Sequence, residues 1–225
     1  VKFEDLKFMS IGSNCASIVL LGKNRQFKGP IDNVLIKGTD AIEALFLNKY
    51  FEILYSSGYS TRNKYITPQD SYPLLYDFNF VEILHNNPFT TKYKLELTKR
   101  INTFNYFLNK CKTNDDYFFI FTFNNWFIND STHEVNHLGV TELLNLFKNY
   151  EILNRVIFVQ TIQPKDNTKH YLNEYSDEFN YYIDKYKLKA IMLEKLDEDN
   201  IEENKSKFKR EICKLFQIKE ETNNE

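Results

Sequence analysis

Apolar residues fall along the chain in two kinds of run. LKFMSI (6–11), DDYFFIFTFNN (115–125), RVIFVQTI (155–162) and KAIMLEKL (189–196) are dense in apolar residues over a strand's length, the pattern of strands covered on both faces. Elsewhere the apolar positions recur every three or four residues. Asp40 reads as the N-cap of a helix over 41–54 with Ile42, Leu45, Phe46 and Ile53 on its inner face. Leu95, Leu97, Ile101, Phe104, Phe107 and Leu108 form one stripe of a long helix over about 92–111. Ser131 and Glu134 make a capping box that opens a helix running to about Tyr150. YLNEYSDEFNYYIDKY (171–186) reads as an amphipathic helix, and KSKFKREICKLFQI (205–218) as a last one with Phe208, Ile212, Leu215 and Phe216 inward. ASIVLLGKN (16–24) is a helix that Gly22 and Asn24 end.

Two stretches have less pattern. Residues 27–38 hold Gly29, Pro30 and Gly38 and read as a loop with a short extended piece. Residues 55–92, with Pro68, Pro73 and Pro88, read as loops with a short hairpin or isolated strands, VEILH (81–85) among them. From residue 115 the order is strand, helix, strand, helix, strand, helix, and the first strand joins the same sheet. The expected fold is α/β: a mainly parallel sheet with helices on both faces, three-layered, Rossmann-like or SGNH-like. With no internal repeat and no Gly/Ser linker, residues 1–218 are expected to form a single domain and 219–225 a frayed tail.

Composition narrows the function classes. The 225 residues are 42% hydrophobic and 16% aromatic, enough for a buried core. A net charge of −2 gives no electrostatic case for nucleic acid or an anionic membrane. No apolar run is long enough to span a bilayer, and Lys2, Glu4, Asp5 and Lys7 interrupt any secretory signal. The chain opens on Val1, as a processed chain or a piece of a longer one would. Three scattered cysteines, Cys15, Cys111 and Cys213, form no CxxC pair, which points to a reducing, cytoplasmic setting.

Chemistry concentrates at SIGSNCASIVLLG (10–22). In parallel α/β sheets sites lie at the carboxyl ends of strands, and Cys15 follows the first strand directly. A thiol in the first turn of a helix feels the positive end of the helix dipole, which favours the thiolate. Backbone N–H groups of Cys15 and Ala16 can bind a developing oxyanion. Gly12 permits the sharp turn, and Ser13 and Asn14 stand where they can orient a substrate. The other reading of Cys15 is a small apolar residue packed at a strand–helix corner.

IGSNC, followed by QFKGPIDN (26–33), resembles the DUF1796 family, described as papain-like cysteine peptidases and found mainly in bacteria. Members open with a strand and a Gly-x-x-Cys turn, and carry a Pro-Phe/Leu-Asp-Trp motif some way on. Gly12 and Cys15 match the first motif; Pro30 and Asp32 match the second, with Asn33 in place of Trp. Later motifs of the family have counterparts in His85 of ILHNNPF and in Lys99, Arg100 and Ile101. The resemblance implies Cys15 as nucleophile, His85 as base and Asp32 as the group that holds the imidazole in place. It also puts Asn33 in the substrate pocket. A papain-like fold would be antiparallel, and Ala16 stands where papain's signature has an aromatic, so the parallel α/β reading is kept. The order Cys, Asp, His is similar to that of α/β-hydrolases, and the corner around Cys15 to that of SGNH-type esterases.

A second motif competes. THEVNH (132–137) contains His133, Glu134 and His137 as His-Glu-x-x-His, which on a helix lets both imidazoles hold one zinc with Glu134 as base. Against this, no third ligand follows at the usual spacing, although Glu142 and Glu151 are present, and Glu134 already serves the capping box. Arg100 either binds an anionic group of the substrate or pairs along its helix. No P-loop or GxGxxG occurs, so no cofactor is expected. The sequence thus points to a cysteine-dependent hydrolase or acyl transferase acting on a peptide, amide or ester through Cys15, His85 and Asp32. A zinc hydrolase and a non-catalytic binding or accessory domain are the alternatives.

Overall fold

The computed structural model describes residues 2–11, 20–22, 27–32, 34–36, 39–63, 74–83, 86–123, 137–162, 180–194 and 200–218. In chain order the elements are β1 (Lys7–Ser10), β2 (Val34–Ile36), α1 (Asp40–Phe46), α2 (Tyr50–Ser56), β3 (Tyr59–Asn63), β4 (Leu74–Phe78), β5 (Val81–Ile83), α3 (Thr91–Thr113), β6 (Tyr117–Phe123), α4 (His137–Asn149), β7 (Val156–Ile162), β8 (Lys189–Glu194) and α5 (Ile201–Leu215). Residues 180–186 are helical as well.

The four dense apolar runs form one parallel sheet in the order β1-β6-β7-β8. Phe8 lies opposite Phe118, Phe121 opposite Phe158, and Val159 opposite Ile191. Successive strand residues point to opposite faces, and here both faces are apolar. Phe8, Phe118, Ile120, Ile157, Val159 and Ile191 face Phe208, Ile212 and Cys213 of α5, with Leu20 and Leu21. Met9, Phe119, Phe121 and Phe158 face the other way, toward Phe104 and Phe107 of α3 and Leu143 and Phe147 of α4. Helices therefore cover both faces of a parallel sheet, as the sequence pattern predicts.

A second, antiparallel sheet in the order β2-β5-β4-β3 adds to this plan. The short hairpin or isolated strands expected over 55–92 are its β3, β4 and β5, and the extended piece expected over 27–38 is its β2; that they join in one sheet is what the sequence pattern does not predict. Its inner residues Val34, Ile36, Tyr76, Phe78, Val81 and Ile83 belong to the same buried cluster as Met9 and Phe119 of the parallel sheet. The small sheet is thus packed onto the helical layer on one side of the large one.

Three helix expectations are corrected. The helix expected over 41–54 is two helices, because Asn48 takes a left-handed φ of 56°. There Lys49 N–H reaches Ala44 O (2.8 Å) and Asn48 N–H reaches Leu45 O (3.0 Å), which is a Schellman closure. Thr39, not Asp40, occupies the N-cap position of α1. Leu95 is off the buried stripe at 60% exposure, and Leu215 is 36% exposed, while Leu97, Phe104, Phe107 and Leu108 are buried as expected. Gly22, with φ 48°, stands at the end of helical residues 20–21 as its sequence position suggested. The Ser131–Glu134 capping box and most of the helices expected at 16–24 and 171–186 lie outside the described residues.

Candidate functional site

The site is built on the turn Gly29-Pro30-Ile31-Asp32, which crosses the carboxyl end of β1. A Cβ on Gly29 would sit 2.8 Å from the carbonyl oxygen of Ser10 and 3.6 Å from Cγ of Met9. Only glycine allows so close an approach of two backbones. The turn is tied at both ends: Asp32 N–H donates to Gly29 O (3.3 Å), and Gly29 N–H donates to Oδ2 of Asp32 (2.9 Å). Asp32 is 3% exposed, an unusual setting for a carboxylate and one that its local hydrogen bond makes tolerable. Asp32 therefore has a structural task, whatever else it does.

Beyond the turn the chain enters β2, which pairs with β5 so that Val34 lies opposite Ile83 and Ile36 opposite Val81. In the sequence Asp32 stands two residues before Val34, and His85 two residues after Ile83. His85 itself lies outside the described residues, as do Cys15, Ser13, Asn14 and Asn33. Cys15 is five residues past Ser10, whose carbonyl the Gly29 turn touches.

Arg100 is described. It lies on α3 and donates from Nε to Oε1 of Glu96 at 3.0 Å, one helical turn away. Its side chain is 19% exposed. That hydrogen bond, with the charges of Arg100, Lys28 and Lys99, holds the Glu96 carboxyl below its ordinary pKa. Arg100 lines a cleft of about 690 Å³ together with Pro30, Asn86, Asn87, Lys92 and Lys99. The cleft thus gathers the turn that carries Asp32, the residue next to His85, and Arg100. Tyr93 also lines it, and burial raises its phenol well above the usual value. Thr90 fixes the start of α3 there, its Oγ1 accepting from Tyr93 N–H at 3.2 Å.

The competing metal motif is described only at His137, the first residue of α4; His133 and Glu134 lie outside the described residues. Among the described residues no group of three His, Cys, Asp or Glu is arranged to hold a metal. Glu142, a conceivable further ligand, accepts from Oγ1 of Thr39 at 3.3 Å on the surface. The two described cysteines, Cys111 and Cys213, are buried. Burial pushes the Cys111 thiol up from 9.0 to about 12, the opposite of activation.

Sequence reasoning missed the cleft's Lys92, Glu96, Asn86 and Asn87. The signal was present in KYKLELTKR: residues 92, 96, 99 and 100 share one face of a helix, and Leu95 borders that face instead of the core. Among the described residues no helix is long and apolar enough to cross a membrane. Compared with known proteins, the chain matches no family model, no curated protein and no solved structure.

Proposed function

We propose that the chain is a cysteine-dependent hydrolase or acyl transferase that works through Cys15, His85 and Asp32. The observation that supports it is the β2–β5 register: Val34 pairs with Ile83, and in the sequence Asp32 stands two residues before the one and His85 two residues after the other. The turn that carries Asp32 adjoins β1, the strand that leads to Cys15. The chemistry then follows from the three groups. The Cys15 thiolate attacks a carbonyl carbon, and an S–C bond forms. The tetrahedral intermediate collapses, and the leaving oxygen or nitrogen takes its proton from the His85 imidazolium. His85 next removes a proton from water or an acceptor alcohol or amine, which attacks the thioester and releases the thiol. Asp32 holds the His85 tautomer. A carboxylate offers several acceptor positions, so its bond to Gly29 N–H leaves this role open to it.

The resemblance to DUF1796 belongs to this proposal, as does a cytoplasmic setting, which the scattered cysteines suit. The test is to incubate the protein with an activated acyl ester and map the adduct by mass spectrometry. A thioester on Cys15 that clears with time, and is absent in Cys15→Ala, is the expected result. Acylation of lysines alone, unchanged in Cys15→Ala, would sink the reading.

A further inference from the structure

We propose that the cleft formed by Pro30, Asn86, Asn87 and the first turns of α3 binds an oxyanion group of the substrate, with Arg100 as its main ligand and Lys92 and Lys99 in support. Three observations carry this. The charged lining residues are Lys92, Lys99 and Arg100 against one carboxylate, Glu96, so the cleft is cationic. Arg100 is held by Glu96 through Nε alone, and among the described residues nothing takes its two terminal nitrogens. Those nitrogens form the fork that matches a carboxylate or phosphate. Neither Lys92 nor Lys99 makes an ion pair within 4 Å of a carboxylate among the described residues, although α3 carries Glu96 within one turn of each and the charge of Lys99 reaches it.

The neutral lining adds donors. Oδ1 of Asn87 accepts from Phe89 N–H at 2.9 Å, which fixes the amide and leaves its NH₂ as the group on offer. Pro30, Tyr93 and Leu97 give the cleft an apolar wall, so it suits a ligand with an anionic end and a less polar body. The volume, about 690 Å³, fits a small molecule or one or two residues of a peptide. Pro30 is shared between this cleft and the Asp32 turn, and that sets the oxyanion beside the turn that carries Asp32. Naming the ligand as substrate rests on the hydrolase reading; the anion site itself does not.

The experiment titrates the full chain with glutarate, with its neutral diamide glutaramide, and with inorganic phosphate, followed by calorimetry at low and high salt. Saturation by glutarate marks a carboxylate site and saturation by phosphate a phosphoryl site; either supports the proposal, provided glutaramide fails to saturate. Arg100→Gln should weaken the anion about tenfold and Lys92→Gln, on an exposed position, about twofold to threefold, with the wild-type affinity falling as salt rises. Cys15→Ala should bind the anion as wild type does, so a failed nucleophile and a failed anion site give different results. Saturation by glutaramide equal to glutarate would overturn the proposal. So would anion binding unchanged in an Arg100→Gln/Lys99→Gln variant whose melting curve shows it folded.

Discussion

Val34 lies directly opposite Ile83 across the antiparallel β2–β5 pair. This one register ties the turn after Gly29 to the segment that leads to His85, although the two are about fifty residues apart in sequence. The turn in turn rests on the backbone of β1 through Gly29. The account of the site depends on these two contacts, and both can be disturbed separately from the chemistry.

Gly29→Ala tests the first contact. Its methyl would meet the Ser10 carbonyl at 2.8 Å, and a strand backbone gives way less easily than a side-chain end. A loss of about 1–3 kcal/mol in urea unfolding is expected, as for other overpacked sites. Gly58→Ala is the control, because nothing lies within 4 Å of a Cβ there. Equal effects of the two changes would mean that the turn does not sit tightly on β1.

Alkaline pH tests the buried thiol. Burial raises Cys111 from 9.0 to about 12, so the folded protein keeps a proton that the unfolded chain releases. The stability this contributes is complete below pH 9.0 and is lost as pH rises through about 12. Within that window the slope is at most about 1.4 kcal/mol per pH unit. Tyr55, also raised by burial to about 12, acts in the same direction above 10.0. Urea unfolding at increasing pH should show the fall, and Cys111→Ala, less stable throughout, should show a shallower one. An identical slope in that variant would contradict the assignment.

Much of the fold was legible because the physics was local. A strand buried on both faces has nowhere to put polar residues, so YFFIFTF and VIFVQ announce themselves. The break between α1 and α2 was not legible, since AIEALFLNKYFEIL keeps helical spacing through it. Only the left-handed Asn48 ends the helix, and Asn105 Nδ2 donates to its side chain at 3.2 Å from α3. A short hairpin or isolated strands were legible over 55–92, but not their bounds or their joining with β2 in one sheet, because β3 (YSTRN) is a polar edge strand and β5 has three residues, too few for a clear alternation. Leu95 misled because it stands two positions from Leu97 and apolar character alone does not say which face it takes; it borders the cleft. For the site, residue types near Cys15 and Asp32 were readable, while the pairing of Val34 with Ile83 was not, because register between distant strands is a tertiary property.

The helix ends offer a gain in stability. After α4, Glu151 has φ 60° while Ile152 N–H reaches Phe147 O at 2.9 Å and Glu151 N–H reaches Lys148 O at 3.0 Å, a Schellman closure around a residue with a Cβ. Glu151 is exposed, so its side chain has little packing to lose. Glu151→Gly should raise stability by about 0.5–1 kcal/mol in urea unfolding, the relief of left-handed strain being partly offset by glycine's greater freedom when unfolded. A loss of stability would show that the side chain does more than tolerate this geometry.

The central claim is that Cys15 and His85 form a reacting pair oriented by Asp32. Its most direct measurement is the pH profile of Cys15 alkylation by iodoacetamide in wild type, His85→Ala and Asp32→Asn, with thermal melting recorded for each. An imidazolium partner stabilises a thiolate, so His85→Ala should move the Cys15 midpoint upward, and Asp32→Asn should move it less, since it acts through the imidazole. Melting of His85→Ala should stay near wild type, while Asp32→Asn should lose some stability through its bond to Gly29 N–H. A Cys15 profile that His85→Ala leaves in place would contradict the account.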